Sequence, residues 1–184
     1  DGSTLLSNGR RLGPVGRHLQ VSDLPLNVLQ SLDSRYLIVV NSGLAKPSLS
    51  VIDVANWSVK QTTPLEHAWY GMAWHPDGTK LYVSGAAQNN VQEFTFADGN
   101  LTRARTFGLP AVTGHSFVGG LTVSGDGKML YVTRVFGQSV SAIDLTSGQV
   151  VKTVGLPAEP YTAVVSPDGK QLFVSIWGGS FVLV

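Results

Sequence analysis

The stretch SPDGKQLFVS, residues 166–175, decides the fold, because three further copies of it occur in the chain. The other copies read SLDSRYLIVV at 31–40, HPDGTKLYVS at 75–84 and SGDGKMLYVT at 124–133. The aspartates at the third position of successive copies are separated by 44, 49 and 42 residues. A period in this range is typical of β-propeller blades. The repeat therefore predicts an all-β propeller of four-stranded antiparallel blades, with about four blades in the chain.

The third copy shows how one blade is assembled from short strands and turns. The Asp-Gly pair at 126–127 supplies the positive φ that a tight connection needs. The strand that follows, Met129–Thr133, is rich in β-branched and aromatic residues. Two more candidate strands, Ser139–Asp144 and Gln149–Val154, follow further turns, and Gly119–Val123 precedes the first turn. Four strands joined by short turns make one propeller blade.

Apolar residues occupy both faces of the strand that follows each repeated turn. The fourth and sixth residues after each aspartate are leucine and valine in all four copies. The residues between them are also apolar, namely Ile38, Tyr82, Tyr131 and Phe173. A strand with two apolar faces is covered on both sides. We therefore expect these strands to lie in sheets that are sandwiched between neighbouring blades.

The repeated aspartates have two possible roles. An Asp side chain in such a turn accepts hydrogen bonds from its own backbone. A calcium loop needs a denser set of oxygen ligands than this spacing supplies. We therefore interpret the four aspartates as turn caps and not as calcium ligands: Asp33, Asp77, Asp126 and Asp168.

The composition restricts the class of protein and its partners. A content of 21 glycines with only 14% charged residues suits a turn-rich all-β domain. The formal net charge of +1 predicts no surface for nucleic acid. No apolar run approaches the length that a membrane-spanning helix needs, so no span is predicted. The absence of cysteine excludes disulfides and thiol chemistry.

The repeat predicts that residues 1–184 form a single propeller domain or half of one. We expect the outer strands of a split blade at 1–22, full blades at 23–64, 65–109 and 110–156, and a partial blade at 157–184. Open ends would expose unpaired strand edges and apolar blade faces. Three arrangements close them: the chain is a fragment of a longer propeller, it closes on itself as four blades, or two copies join head to tail through composite blades.

The copies resemble the YVTN β-propeller repeat. Its typical form is a Ser-Pro-Asp-Gly turn, then Leu-Tyr-Val-Thr, then a strand that ends in Val-Ile-Asp. The segments Ser166–Gly169, Leu130–Thr133 and Val51–Asp53 match these elements. The resemblance extends over residues 24–184. Blades of this kind form rings of more than four, so the resemblance favours a homo-oligomer completed through composite blades.

A closer likeness is to bacterial proteins in which a YVTN propeller is followed by a phosphoesterase domain. The segments Leu6–Leu12, Ala68–Gly71 and Ile176–Gly179 carry this likeness. It implies a WD40-like repeat protein that is secreted or periplasmic, which the lack of cysteine also favours. It supplies no catalytic residues, because the matching residues belong to the propeller part alone.

Loops at one end of a propeller surround its central channel and are the expected ligand site. We expect seven side chains on this rim: Glu66, His67, Trp69, His115, Arg134, Glu159 and Trp177. Two histidines and two carboxylates on one rim could bind a metal or act in acid–base catalysis. We favour the alternative that they are hydrated side chains or partners of turns, because no HExxH or similar cluster accompanies them. No cofactor is evident, and a metal on the rim stays open.

An aromatic cluster, Trp69, Tyr70 and Trp74, surrounds one inner strand. One interpretation is a pocket for a sugar or a peptide. The favoured one is packing between blades, whose interfaces need large side chains.

Two functions follow from these observations. The favoured one is a non-catalytic binding or assembly module with a small-molecule or peptide ligand. The alternative is a hydrolase or lactonase-type enzyme that uses the rim, although the sequence identifies no catalytic residue and has no Gly-x-Ser-x-Gly motif. An enzyme requires the rim histidines and glutamates to converge within metal-ligand distance. A binding module requires a shallow, aromatic-rich rim without such a cluster.

Overall fold

A computed structural model of the chain describes residues 3–13, 16–111 and 115–184. In these ranges the strands form five antiparallel sheets, and a short 3₁₀ turn, Ala86–Gln88, lies on one rim. The strands in chain order are β1 (Thr4–Leu5), β2 (Arg11–Leu12), β3 (Pro25–Gln30), β4 (Tyr36–Asn41), β5 (Ser48–Asp53), β6 (Ser58–Pro64), β7 (Met72–Trp74), β8 (Lys80–Ser84), β9 (Asn90–Ala97), β10 (Asn100–Gly108), β11 (Val118–Val123), β12 (Met129–Arg134), β13 (Ser139–Asp144), β14 (Val150–Gly155), β15 (Pro160–Val165), β16 (Leu172–Ile176) and β17 (Phe181–Leu183).

Four of the sheets are propeller blades. Strands β3–β6, β7–β10 and β11–β14 form three four-stranded sheets, and β15–β17 form a three-stranded one. Each strand pairs with the next along the chain, as in an antiparallel meander. The first strands of neighbouring blades, such as β7, β11 and β15, lie side by side at the centre. The predicted fold class is confirmed: an all-β propeller with about four blades.

The turn between the first two strands of a blade is closed by a serine and an aspartate. In the third blade Ser124 Oγ donates to Asp126 Oδ1 at 2.6 Å, and the Lys128 amide donates to the same oxygen at 3.1 Å. The Met129 amide donates to Ser124 Oγ at 2.9 Å. The same bonds recur at Asp33 and Asp168. The interpretation of the repeated aspartates as turn caps is confirmed.

The second blade has His75 where the other three have serine. Its Nδ1 lies 2.9 Å from Asp77 Oδ1, and its Nε2 lies 3.1 Å from the carbonyl oxygen of Gly127 in the next blade. The amide and the hydroxyl of Thr79 both donate to Asp77 Oδ1 at 2.8 Å. The larger side chain therefore caps its own turn and also links two turns.

The hydrophobic core consists of layers between neighbouring blades. In the two middle blades the repeated leucines and valines are completely buried, and so is Tyr82. The aligned residue of the last blade, Phe173, is 37% exposed, because no other blade among the described residues covers that face. The expectation that all four strands are buried on both faces is therefore wrong for the last blade.

Both ends of the blade series are open. On the last blade Val164 and Val182 are each 59% exposed, and β17 pairs with β16 as its one partner among the described strands. At the other end β1 and β2 pair with each other and with no other described strand. The split blade predicted for residues 1–22 stays a prediction, and residues 1, 2, 14 and 15 of it lie outside the described ranges. No helix in the described ranges is long and apolar enough to cross a membrane.

Candidate functional site

Two glycines on β11 allow the inner strands of the third and fourth blades to approach closely. A Cβ at Gly120 would lie only 2.7 Å from the Cα of Thr162 on β15, so the two inner strands approach closely. Tyr70 of the second blade reaches the fourth blade across β11. Its hydroxyl donates to the carbonyl oxygen of Tyr161. Burial raises the pKa of Tyr70, and the neighbouring Tyr161 raises it further.

A series of aromatic rings extends to both sides of this contact. We call it the aromatic rim, and it consists of Phe117, Trp69, Tyr70, Tyr161 and Trp177. The rings of Tyr70 and Tyr161 are stacked, with centroids 4.3 Å apart and planes at 15°. Trp177 meets Tyr161 edge to face at 5.6 Å. On the other side Trp69 lies 6.3 Å from Tyr70 and 5.5 Å from Phe117. Edge-to-face and stacked contacts of this kind fix the rings relative to one another.

A shallow pocket of about 460 Å³ opens on the aromatic rim. We call it the aromatic pocket, and its lining residues are Trp69, Tyr161, Ser175, Ile176 and Trp177. The structure thus brings together two of the predicted rim residues, Trp69 and Trp177. Tyr161 was not among the rim residues predicted from the sequence. Its position at the start of β15 is similar to that of Tyr70 just before β7, and this similarity could have indicated it.

The two rim glutamates are each held by a glutamine. Gln88 Nε2 donates to Glu66 Oε2 at 2.7 Å, and Gln138 Nε2 donates to Glu159 Oε1 at 2.9 Å. The bond from Gln138 lowers the pKa of Glu159, so this carboxylate is ionised at neutral pH. The glutamates therefore act as hydrogen-bond acceptors of neighbouring loops.

The rim histidines do not join the glutamates in a cluster. The side chains of His67 and His115 are exposed, and the carbonyl oxygen of His67 accepts a bond from Gln92. In the described part of the chain, no three His, Cys, Asp or Glu side chains lie close enough together to hold a metal ion. The donor set of the described residues does not fit a metal centre.

The remaining predicted rim residue, Arg134, is buried, with 1% exposure. Its Nη2 donates to the carbonyl oxygen of Pro110 at 2.6 Å and to Asn89 Oδ1 at 3.0 Å. Burial lowers the pKa of this guanidinium. Arg134 therefore anchors the loop after β10 to the third blade and does not present its charge to solvent.

The aromatic cluster predicted around one inner strand divides into two parts. Trp74 packs between the first two blades, where its Nε1 donates to the carbonyl oxygen of Gln30 at 2.8 Å and its ring lies 5.0 Å from Phe96. The prediction of inter-blade packing is confirmed for this residue. Trp69 and Tyr70 belong instead to the aromatic rim.

Residues 41–177 match the family described as the SMP-30/gluconolactonase/LRE-like region. The chain belongs to this family. The sequence matches no curated protein. The match begins in β4 and ends beside the aromatic pocket, so it includes most of the four blades.

Solved structures share the fold at low sequence identity. Hydrazine synthase from Kuenenia stuttgartiensis is 22% identical with a TM-score of 0.72, over 91% of this chain and 47% of that one. A candidate 6-phosphogluconolactonase from Bacteroides uniformis is 19% identical with a TM-score of 0.71, over 95% of this chain and 56% of that one. A luciferin-regenerating enzyme is 19% identical with a TM-score of 0.63, over 80% of this chain and 52% of that one. The chain spans about half the length of these structures.

Proposed function

We propose that the chain is a non-catalytic binding and assembly module that completes its ring by self-association. The observation that carries this proposal is the open last blade, in which β17 has no partner on its outer side among the described strands. Beside this edge lies an apolar groove of about 520 Å³ between β14 and β17. Its walls include Val151, Val154, Leu172, Val174 and Leu183. A fourth strand placed there would pair with β17 and cover these side chains.

The segment before the first blade is the candidate for that missing strand. Residues 17–21 precede β3 at nearly the same distance in sequence as β14 precedes β15. Leu19 and Val21 line a hollow on the open face of the first blade, together with Val28 and Trp57. This position on the face of the first blade supports a role as the outer strand of a preceding blade. In a head-to-tail pair, this segment of each copy would complete the last blade of the other.

The solved structures support a ring of more than four blades. The four blades superimpose on about half of chains that are nearly twice as long. Their relative angles are therefore compatible with a larger ring. The resemblance to YVTN propellers agrees with this, and it also supports a secreted or periplasmic location, which fractionation of the producing cells tests.

The test is the solution mass of the chain by light scattering after size exclusion. We expect a mass of twice 19.5 kDa for the unmodified chain. The substitution Leu183→Asp places a charge in the groove and should give a monomer. Leu44→Asp, at a fully exposed loop position, is the matched control and should leave the dimer intact. A monomeric unmodified chain at micromolar concentration would contradict the proposal.

Family membership favours a second function, a hydrolase of lactonase type. The family description names gluconolactonase, and two of the solved structures carry enzyme names. The dispersed rim histidines and glutamates do not support it. We expect δ-gluconolactone to hydrolyse in the presence of the protein at the rate of buffer alone, with or without added calcium. A faster rate that Glu159→Gln abolishes and Phe136→Ala retains would establish the enzyme instead.

A further inference from the structure

We propose that the aromatic pocket binds an organic ammonium cation, held against the faces of its aromatic rings. The inference rests on the proposed binding function and names its ligand class, but it does not depend on ring completion, since one chain supplies every lining residue. Quaternary ammonium groups are bound by aromatic cages in proteins, because the ring faces carry partial negative charge.

The arrangement of the rings suits such a ligand. The planes of Tyr161 and Trp177 are at 86°, so the two rings form adjacent walls of one pocket. Trp69 lines it as a third ring. Stacking on Tyr70 holds Tyr161 in place before any ligand arrives. Trp177 is 66% exposed, which leaves its surface available to a ligand from solvent.

The charge beside the pocket has the sign that a cation needs. Glu159 lies next to the pocket, because its carbonyl oxygen accepts the amide of Trp177 at 2.7 Å and its carboxylate lies against Gly178. Gln138 holds this carboxylate in its ionised form. No lysine or arginine lines the pocket in the described part of the chain. A cationic ligand would therefore gain from the carboxylate without a competing positive charge.

The hydrogen-bonding groups of the pocket favour an ammonium group over a sugar. Ser175 is the one polar residue of the lining that is not aromatic. Its hydroxyl donates to the carbonyl oxygen of Thr162 at 3.3 Å and accepts from the amide of the same residue at 3.2 Å. A sugar needs several directional partners, and the lining offers it only the polar atoms of the ring edges, with the Glu159 carboxylate beside them. A quaternary ammonium group has no N–H and needs no hydrogen-bonding partner.

The probe for this proposal is choline chloride, observed through its N-methyl proton resonance. We expect saturable binding to the full chain, with an upfield shift caused by the aromatic ring currents. The uncharged isostere 3,3-dimethylbutan-1-ol should bind about tenfold more weakly, since it has the same shape but no charge. Methyl α-D-glucopyranoside, the probe for a sugar site, should not bind.

Two exposed aromatic residues supply the matched variants. Trp177→Ala should raise the dissociation constant for choline about tenfold. Phe136→Ala should change it little, because Phe136 is 58% exposed, lies outside the pocket and reaches Trp69 only through the ring of Phe117. Equal affinity for choline and its uncharged isostere, preferential binding of the glucoside, or an unchanged Trp177→Ala would each overturn the proposal. A monomeric chain that binds choline would contradict self-association alone, which separates the two tests.

Discussion

Single carboxylates in the blade turns make the stability of this protein dependent on pH. The hydroxyls of Ser31, Ser124 and Ser166 lower the pKa of the aspartate two residues later, and the backbone amide of Thr79 lowers the pKa of Asp77 to about 2. The ordinary value is 3.8, so each folded-state pKa lies below that of the unfolded chain. Their contribution to stability is complete above about pH 5 and is lost as the pH falls through the folded pKa.

We expect Asp126→Asn to make this loss of stability shallower. The amide keeps an oxygen that can accept the bonds from Ser124 and Lys128, but it does not titrate. Urea unfolding measured at intervals from about pH 6 to about pH 2 checks the slope. Asp98→Asn is the control, since the Asp98 side chain is 88% exposed and, among the described residues, forms an ion pair only with Arg35, at 3.9 Å. A variant whose midpoint falls with pH as steeply as that of the original chain would contradict the prediction.

A second prediction at this scale concerns the close approach of two inner strands. We expect Gly120→Ala to destabilise the protein by about 1–3 kcal/mol, because the new methyl group would meet the backbone of Thr162. Gly155→Ala, where a Cβ meets nothing within 4 Å, should change stability by less than about 1 kcal/mol. Thermal unfolding of both variants gives the comparison, and equal effects would show that β11 can move away from β15.

At the scale of elements, an ion pair joins two strands of the second blade, and its arginine also binds the third blade. Glu93 on β9 has a side chain that is 4% exposed, and its two oxygens accept from Arg105 Nε at 3.1 Å and Nη2 at 3.2 Å. Arg105 also donates to the carbonyl oxygen of Leu145 in the third blade. The guanidinium thus joins two strands and two blades, and its position depends on the carboxylate.

We expect Glu93→Gln to destabilise the protein by about 2 kcal/mol, the usual scale for a lost bond to a charged group. Arg105→Met should remove the same interaction while keeping the apolar part of the side chain. The double variant should then cost less than the sum of the two single ones, as denaturant unfolding can measure. Additive effects would show that the pair contributes through packing and not through its charge.

For the whole molecule, the two open ends predict uneven protection from solvent. The strand β13 is hydrogen-bonded on both sides, whereas the equivalent β17 is bonded on one. We expect the amides of β17 to exchange with deuterium faster than those of β13 in dilute solution. If a second copy covers this edge, the protection of β17 should rise with protein concentration, and that of β13 should change little. Protection of β17 that does not depend on concentration would contradict assembly through this edge.

Part of this architecture could be predicted from residue types, because blades are built from local interactions. The Asp-Gly turns, the strands after them and the capping role of the aspartates depend on neighbours a few residues away. The candidate site was harder to predict, because its residues are positioned by contacts that are distant in sequence. Arg134 and Trp69 were predicted on the same rim, but the structure buries the first and leaves the second partly exposed in a pocket. The difference arises from Pro110 and Asn89, which are distant in sequence and bind the guanidinium.

The sequence by itself determined the blade, its period and the all-β fold, since each of these follows from spacing and from turns closed within one repeat. Only the tertiary structure decided which aromatic residues meet. Tyr70 and Tyr161 stack although 91 residues separate them, because β7 and β15 lie on either side of β11 and its glycines let β15 approach closely. The structure also decided which blade faces stay uncovered. The repeated apolar pattern is the same in a middle blade and in a terminal one. Among the described residues, Tyr82 is buried and Phe173 is exposed because a neighbouring blade covers only the first.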